Sequence, residues 1–154
     1  MLDPPVDTWY VWLGLGVVSV AVTGLALALP TTAPPAATPV ADAVDSVASS
    51  PHEARTTVDV PADQIRFRPD SVALRSDGGT ANAQLAFGPV TPVGDSKLRR
   101  VLDGEQPETV FSNQSAFETA VRAAQNRTGT WQEAPDHLVV IRVTWGDVDA
   151  TLVG

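Results

Sequence analysis

The chain has 154 residues, a formal net charge of -8 and a sequence pI near 4.5, so its field repels nucleic-acid phosphate and argues against a nucleic-acid partner. It contains no cysteine, which excludes disulfide staples, thiolate metal sites, thiol nucleophiles and a lipid-modified cysteine. Lys97 is the single lysine, and aspartate greatly outnumbers glutamate, a composition suited to high salt, where a dense carboxylate surface keeps a protein in solution.

Residues 1–8 form a short acidic tail carrying Asp3 and Asp7. From Thr8 to Ala41 there is no charge, and residues 9–29 are an almost continuous apolar run closed by Pro30. As a helix this run is about 31 Å long, the thickness of a bilayer's hydrocarbon layer. Trp9, Tyr10 and Trp12 cluster at its start, where amphipathic rings favour the interface. The sequence therefore predicts a single-pass transmembrane helix over 9–29.

A cleaved secretory signal is the rival, since Ala26-Leu27-Ala28 has the small-residue pattern of a cleavage site; the acidic n-region and the long apolar stretch favour an uncleaved anchor. Trp12, Gly16, Ser19, Thr23 and Ala26 recur every three or four residues and share one face, a candidate packing seam for a second helix. Residues 30–39 hold four prolines in ten and read as an extended tether.

The remainder, 40–154, reads as a small α+β domain with antiparallel hairpins and two to three short helices. Val40, Val44 and Val47 mark an amphipathic helix. Arg55 to Val60 and Ile65 to Arg68 are β-rich and stopped by prolines. Ser71 to Arg75 and Thr80 to Phe87 flank Ser76-Asp77-Gly78-Gly79, where Asp-Gly is expected to supply positive backbone angles; Ala81, Ala83, Leu85 and Phe87 should then share the buried side.

Phe87 to Val93 reads as an ordered turn, and Lys97 to Leu102 as a brief helix ending near Gly104. Ser115-Ala-Phe-Glu118 has the form of a capping box opening a helix that runs to about Arg127, with a Glu118–Arg122 pair one turn apart. His137 to Trp145 and Val148 to Val153 form a closing hairpin about Gly146-Asp147.

Trp9-Tyr-Val-Trp-Leu13, the Ser-Asp-Gly-Gly hairpin, Phe-Gly-Pro-Val-Thr-Pro-Val and the terminal Thr-Leu-Val-Gly together resemble a family of uncharacterised haloarchaeal single-pass membrane proteins. The resemblance spans the chain and implies a halophilic archaeal source, one anchor and an association with type IV pilus-like or secretion machinery. The order of elements is also similar to pilin-like proteins, but no charged residue precedes a Gly or Ala just before the apolar run, and prolines interrupt what would be the long pilin helix.

No catalytic, cofactor-binding or metal constellation stands out. His52 and His137 lack a surrounding motif. Asp147 and Asp149 are expected on one strand face, where a solvated salt-adapted surface explains them better than a cation site. Trp131 and Trp145 read as core or domain-edge residues. Asn113-Gln-Ser115 and Asn126-Arg-Thr128 match the N-glycosylation acceptor pattern and, with the Thr- and Pro-rich stalk, favour an extracytoplasmic domain.

The expectation is a non-enzymatic protein of the cell membrane, without cofactor, acting as an accessory or structural component of a surface, pilus-like or secretion assembly. Its partners would be the lipid bilayer and other proteins, met through the anchor helix and one sheet face. A membrane-tethered ligand-binding sensor, or an enzyme with an unrecognised pocket, is the alternative.

Overall fold

The computed structural model describes residues 7–27, 32–127 and 129–154 and divides into two units, Met1–Thr32 and Ala33–Gly154. The first contains helix α1, Asp7–Leu27. Its described side chains, from Trp9 to Thr23, are all exposed, and every large one is apolar. Among the described residues no helix is long and apolar enough to cross a membrane. The span expected over 9–29 runs beyond the described side chains, and residues 1–6 of the expected tail, together with Pro30 at the head of the expected tether, lie outside the described residues.

The second unit is a mixed α+β domain built on two four-stranded sheets. Its elements in order are α2 (Thr38–Ala48), β1 (Ala54–Asp59), β2 (Gln64–Arg68), β3 (Ser71–Ser76), β4 (Gly79–Gln84), β5 (Val90–Pro92), α3 (Ser96–Leu102), α4 (Pro107–Val110), α5 (Gln114–Gln125), β6 (Gln132–Glu133), β7 (His137–Trp145) and β8 (Val148–Val153). The first sheet runs β1-β7-β8-β5 and the second β4-β3-β2-β6. All pairings are antiparallel except β5 with β8, which is parallel.

The sequence of β7 explains the layering. Leu138 and Val140 point to one side and Val139, Ile141 and Val143 to the other, following the period of two of an extended strand. Both sides are apolar, so the sheet must be covered twice. On the first side lies α2, whose Val40, Val44 and Val47 are buried together with Ile65, Phe67, Val72 and Leu74 of the second sheet. On the second side lie α3, α4 and α5, which contribute Leu98, Leu102, Val110, Phe117 and Val121. Phe117 is fully buried and meets Phe111 edge-on, with ring centroids 5.4 Å apart.

Two arginines tie helices to the first sheet from opposite faces. In the β1–β7 ladder, Ala54 lies opposite Arg142 and Arg55 opposite Ile141. Arg142 donates to the carbonyl oxygen of Ala48, the last residue of α2, and sits 3.4 Å from the Asp149 carboxylate. Arg55 donates to the carbonyl oxygen of Leu102, the last residue of α3, at 3.0 Å. Each places a cation where a helix leaves carbonyls without internal partners and where its dipole is negative.

Local sequence sets the ends of the elements. Asp95 caps α3 by accepting from the backbone of Lys97 and Leu98 at 2.7 and 3.0 Å. The same helix closes on Gly104, at φ 114°, with Gly104 N–H donating to Val101 and Glu105 N–H to Arg100, the paired bonds of a Schellman motif. Gly146, at φ 61°, takes the first central position of the β7–β8 turn, where a type II′ turn requires glycine.

Several expectations change in detail. The positive backbone angle of the β3–β4 turn falls on Gly79, at φ 127°, and not on Asp77-Gly78. β4 ends at Gln84, so Leu85 is buried but Phe87 leaves the sheet and is 52 % exposed. The cap of α5 is Asn113, whose side chain accepts from Ala116 N–H at 2.8 Å; Ser115 therefore lies inside the first turn and no capping box forms. The expected Glu118–Arg122 pair is present at 2.5 Å. Four helices, not two to three, are described in this unit. The proline-rich stretch does not stay apart from it, since Pro35 and Ala37 are buried and α2 already begins at Thr38.

Two substitutions test this layering by urea unfolding. Phe117→Ala is expected to cost about 3–5 kcal/mol through the cavity it leaves. Arg142→Met is expected to cost roughly 1–3 kcal/mol by leaving the Ala48 carbonyl without its donor.

Candidate functional site

The chemistry-bearing residues are scattered across the domain and do not converge. His137 Nδ1 lies 2.7 Å from Asp59 Oδ1 across the β1–β7 ladder, but the two side chains are 65 % and 87 % exposed and no serine or threonine hydroxyl joins them among the described residues. His52 is exposed in the link before β1. Asp147 occupies the β7–β8 turn, while Asp149, on β8, accepts from Thr144 Oγ1 at 2.5 Å and pairs with Arg142. Among the described residues no group of three or more metal-ligating side chains assembles.

The clefts in the domain are open to solvent. One, lined by Glu53, Arg55, Glu105 and Glu108, contains the forked pair of Arg100 and Glu105 at its edge, with Nε–Oε1 and Nη2–Oε2 distances of 2.7 and 2.5 Å. The hydrogen bonds hold the Glu105 carboxyl below its ordinary pKa and raise that of Arg100. Both side chains are about half exposed, so the pair orients the start of the α3–α4 link and contributes little to stability.

Surfaces are more informative. On α1, Trp12, Gly16, Ser19 and Thr23 are all exposed, and at 100° per residue the expected seam, Ala26 included, spans an arc of roughly 80°. The Ala26 side chain lies outside the described residues. A Cβ built on Gly14 or Gly16 meets nothing within 4 Å, so the small-residue groove is open. Thr23 Oγ1 donates to the Ser19 carbonyl at 2.8 Å, which satisfies its hydroxyl without water. The other faces carry Val11, Leu13, Leu15, Val17, Val18, Val20 and Val22, each more than half exposed, so the helix is apolar all round.

The outer face of the second sheet is the other distinctive surface. Gln64, Arg66 and Arg68 alternate along β2 on the side opposite the buried Ile65 and Phe67. Arg75 lies across from Gln64 in the ladder. The guanidinium carbons of Arg66 and Arg75 both lie over the Trp131 ring, 4.5 and 4.1 Å from its centre. Sequence reasoning placed Trp131 at the core or domain edge and left these arginines unassigned. The alternation of Gln64, Arg66 and Arg68 was the available signal, but nothing local links it to a tryptophan some 60 residues later in the chain.

The two acceptor asparagines stand at opposite ends of α5, both exposed; Asn113 is its N-cap and Asn126 its C-cap. Thr128 of the second triplet lies outside the described residues. Asn113 Oδ1 is engaged with Ala116, which leaves Nδ2, the atom that carries a glycan, directed away from that bond.

A family model for a family of unknown function, DUF7283, matches residues 3–143, taking in α1 and the domain as far as the later part of β7. The chain belongs to DUF7283. No curated protein and no solved structure matches it. For this DUF7283 member, the exposed helix and the outer sheet face are the distinctive surfaces among the described residues.

The double role of Asn113 is separable. Asn113→Ala is expected to lower stability by about 1 kcal/mol through loss of the cap. Asn113→Asp keeps an accepting oxygen and should unfold at nearly the wild-type temperature while removing any glycan from this site, which intact-mass measurement checks.

Proposed function

We propose that this protein is a non-enzymatic, single-pass component of the cell membrane, in which α1 anchors a contact domain that serves a larger assembly. The observation that carries the reading is the exposure of α1. Its helical backbone covers 21 residues, and Trp9 to Thr23 expose apolar side chains on every face. In sequence the apolar run continues through Gly24-Leu-Ala-Leu27 to Leu29. As one continuous helix the sequence run 9–29 would measure about 31 Å, the thickness of a hydrocarbon layer. In water the same surface would stand as an exposed apolar patch far larger than a soluble monomer carries.

Trp9, Tyr10 and Trp12 would lie at one lipid-water boundary. The Gly16 face would receive a second helix, since a bilayer offers no hydrophobic drive to bring helices together and small residues allow the close backbone packing that replaces it. The exposed acceptor asparagines and the proline-rich link before α2 favour a domain outside the cytoplasm. The acidic, nearly lysine-free surface favours a halophilic, archaeal setting. The resemblance to haloarchaeal membrane proteins supports an accessory or structural place in a surface, pilus-like or secretion assembly.

Fractionation of cells tests the anchor. The intact chain is expected in the membrane pellet after an alkaline carbonate wash, and its domain should be digested by protease added to intact cells. Val18→Arg, near the middle of α1, is expected to shift the chain toward the aqueous fraction, since a central arginine costs about 2.5–3.5 kcal/mol on insertion scales. An intact wild-type chain recovered in the aqueous fraction would overturn the anchor, and a protease-resistant domain would overturn its placement.

A further inference from the structure

We infer that the outer face of the β4-β3-β2-β6 sheet, centred on Arg66, Arg68 and Arg75, is a docking surface for an extended acidic polypeptide segment. The charge pattern is the first ground. The chain has 18 acidic against 10 basic residues, and Arg100, Arg122 and Arg142 each lie beside a carboxylate. Among the described residues Arg66, Arg68 and Arg75 form no ion pair. Arg55, Arg99 and Arg127 likewise form none but lie singly elsewhere in the domain. Arg66, Arg68 and Arg75 are thus the guanidinium groups gathered on one sheet face, a cluster complementary to carboxylates even though Glu133, opposite Gln64 in the ladder, shares that face.

Geometry adds the second ground. Arg66 and Arg68 are two residues apart on one strand, so their stems are spaced by about 6.6–6.8 Å, the repeat of alternate side chains on any extended chain. A partner strand with a carboxylate at every second position would meet them in register. The guanidinium groups of Arg66 and Arg75 both lie over the Trp131 ring, which restrains them and reduces the ordering lost on forming forked bonds to carboxylate. The neutral neighbours Gln64 and Thr80 accept only long bonds from Arg75, at 3.4 Å each. Arg66 Nε is buried and has no hydrogen-bond partner.

The same face argues against a lipid surface as the occupant. Apart from the residues of α1, Phe87 is the large apolar side chain exposed among the described residues, and it belongs to the loop after β4; Trp131 is half-buried, with two guanidinium groups over its ring. The inference rests on the reading of the domain as a contact module, but its test does not use insertion. An inserted chain that ignores the peptide would sink this surface alone, and a chain that binds it without inserting would sink the anchor alone.

The experiment uses the full chain in neutral detergent with a fluorescein-labelled dodecapeptide of alternating Asp and Ala, read by anisotropy. Saturable binding is expected, weakened about tenfold by Arg68→Gln, in keeping with the loss of one charge-assisted hydrogen-bonded pair. Arg68 is exposed and stands outside the stack, so that variant should retain the wild-type near-ultraviolet circular dichroism. Arg66→Lys is expected to weaken binding as well, since a lysine cannot form the fork. Parallel arms replace the peptide with inorganic phosphate or with phosphatidylglycerol vesicles; neither should compete at matched charge. Absence of saturable peptide binding, insensitivity to Arg68→Gln, or competition by vesicles or phosphate as strong as by unlabelled peptide would overturn the proposal.

Discussion

The β7–β8 hairpin has no solvent face to spare. Leu138 and Val140 on one side, and Val139, Ile141 and Val143 on the other, are apolar, and Val153 and Leu152 repeat the division on β8. An antiparallel pair with this composition is stable only if both sides are covered, which fixes the order of layers. Chain order then decides the covering: α2 and the strands β2 to β4 close one side, and α3 to α5 close the other. The second sheet is attached through the first core and exposes only its far face. That far face is where Arg66, Arg75 and Trp131 meet, so the face proposed for docking is a by-product of how the interior was filled.

The loops between layers are held by specific polar contacts. Asp45 on α2 accepts from the backbone of Ala86 and Phe87 at 3.0 Å, and the carbonyl of Pro69 accepts from Val90 at the same distance. These bonds lead the chain from β4 to β5 and thereby from the second sheet to the first. Thr91, fully buried on β5, would be costly without an acceptor or donor, and Gln125 of α5 supplies one at 3.0 Å. Buried polarity is thus spent where elements distant in sequence must meet.

Local signals made much of the fold legible. The strands 137–145 and 148–153 were readable because a long β-branched run, a glycine-containing turn and a second run leave little choice. The valine spacing of α2 and the apolar stripe of α5 were equally plain. β5 was hidden because three residues ending in proline carry no periodicity, and its partner, β8, lies nearly 60 residues further along. α4 is a single turn and β6 a pair of residues, both defined by their neighbours. Asn113 won the cap from Ser115 because its side chain reaches the Ala116 amide, a choice that local pattern alone leaves open. The same limit governs the sites: the seam on α1 is a one-helix periodicity and could be read, while the stack joins β2, β3 and the segment before β6 and could not.

The placement of Arg55 and Arg142 on adjacent strands has a consequence for folding fidelity. Their side chains leave the ladder in opposite directions, one toward the end of α3 and one toward the end of α2. A one-residue slip of β1 would turn Arg55 into the apolar layer beneath α2 and send Ala54 out to the other side. The wrong alignment would bury an unmatched cation and strand a helix terminus in the same stroke. The pair therefore acts as a proofreading device, making misalignment expensive at the seam where the two halves of the interior are joined.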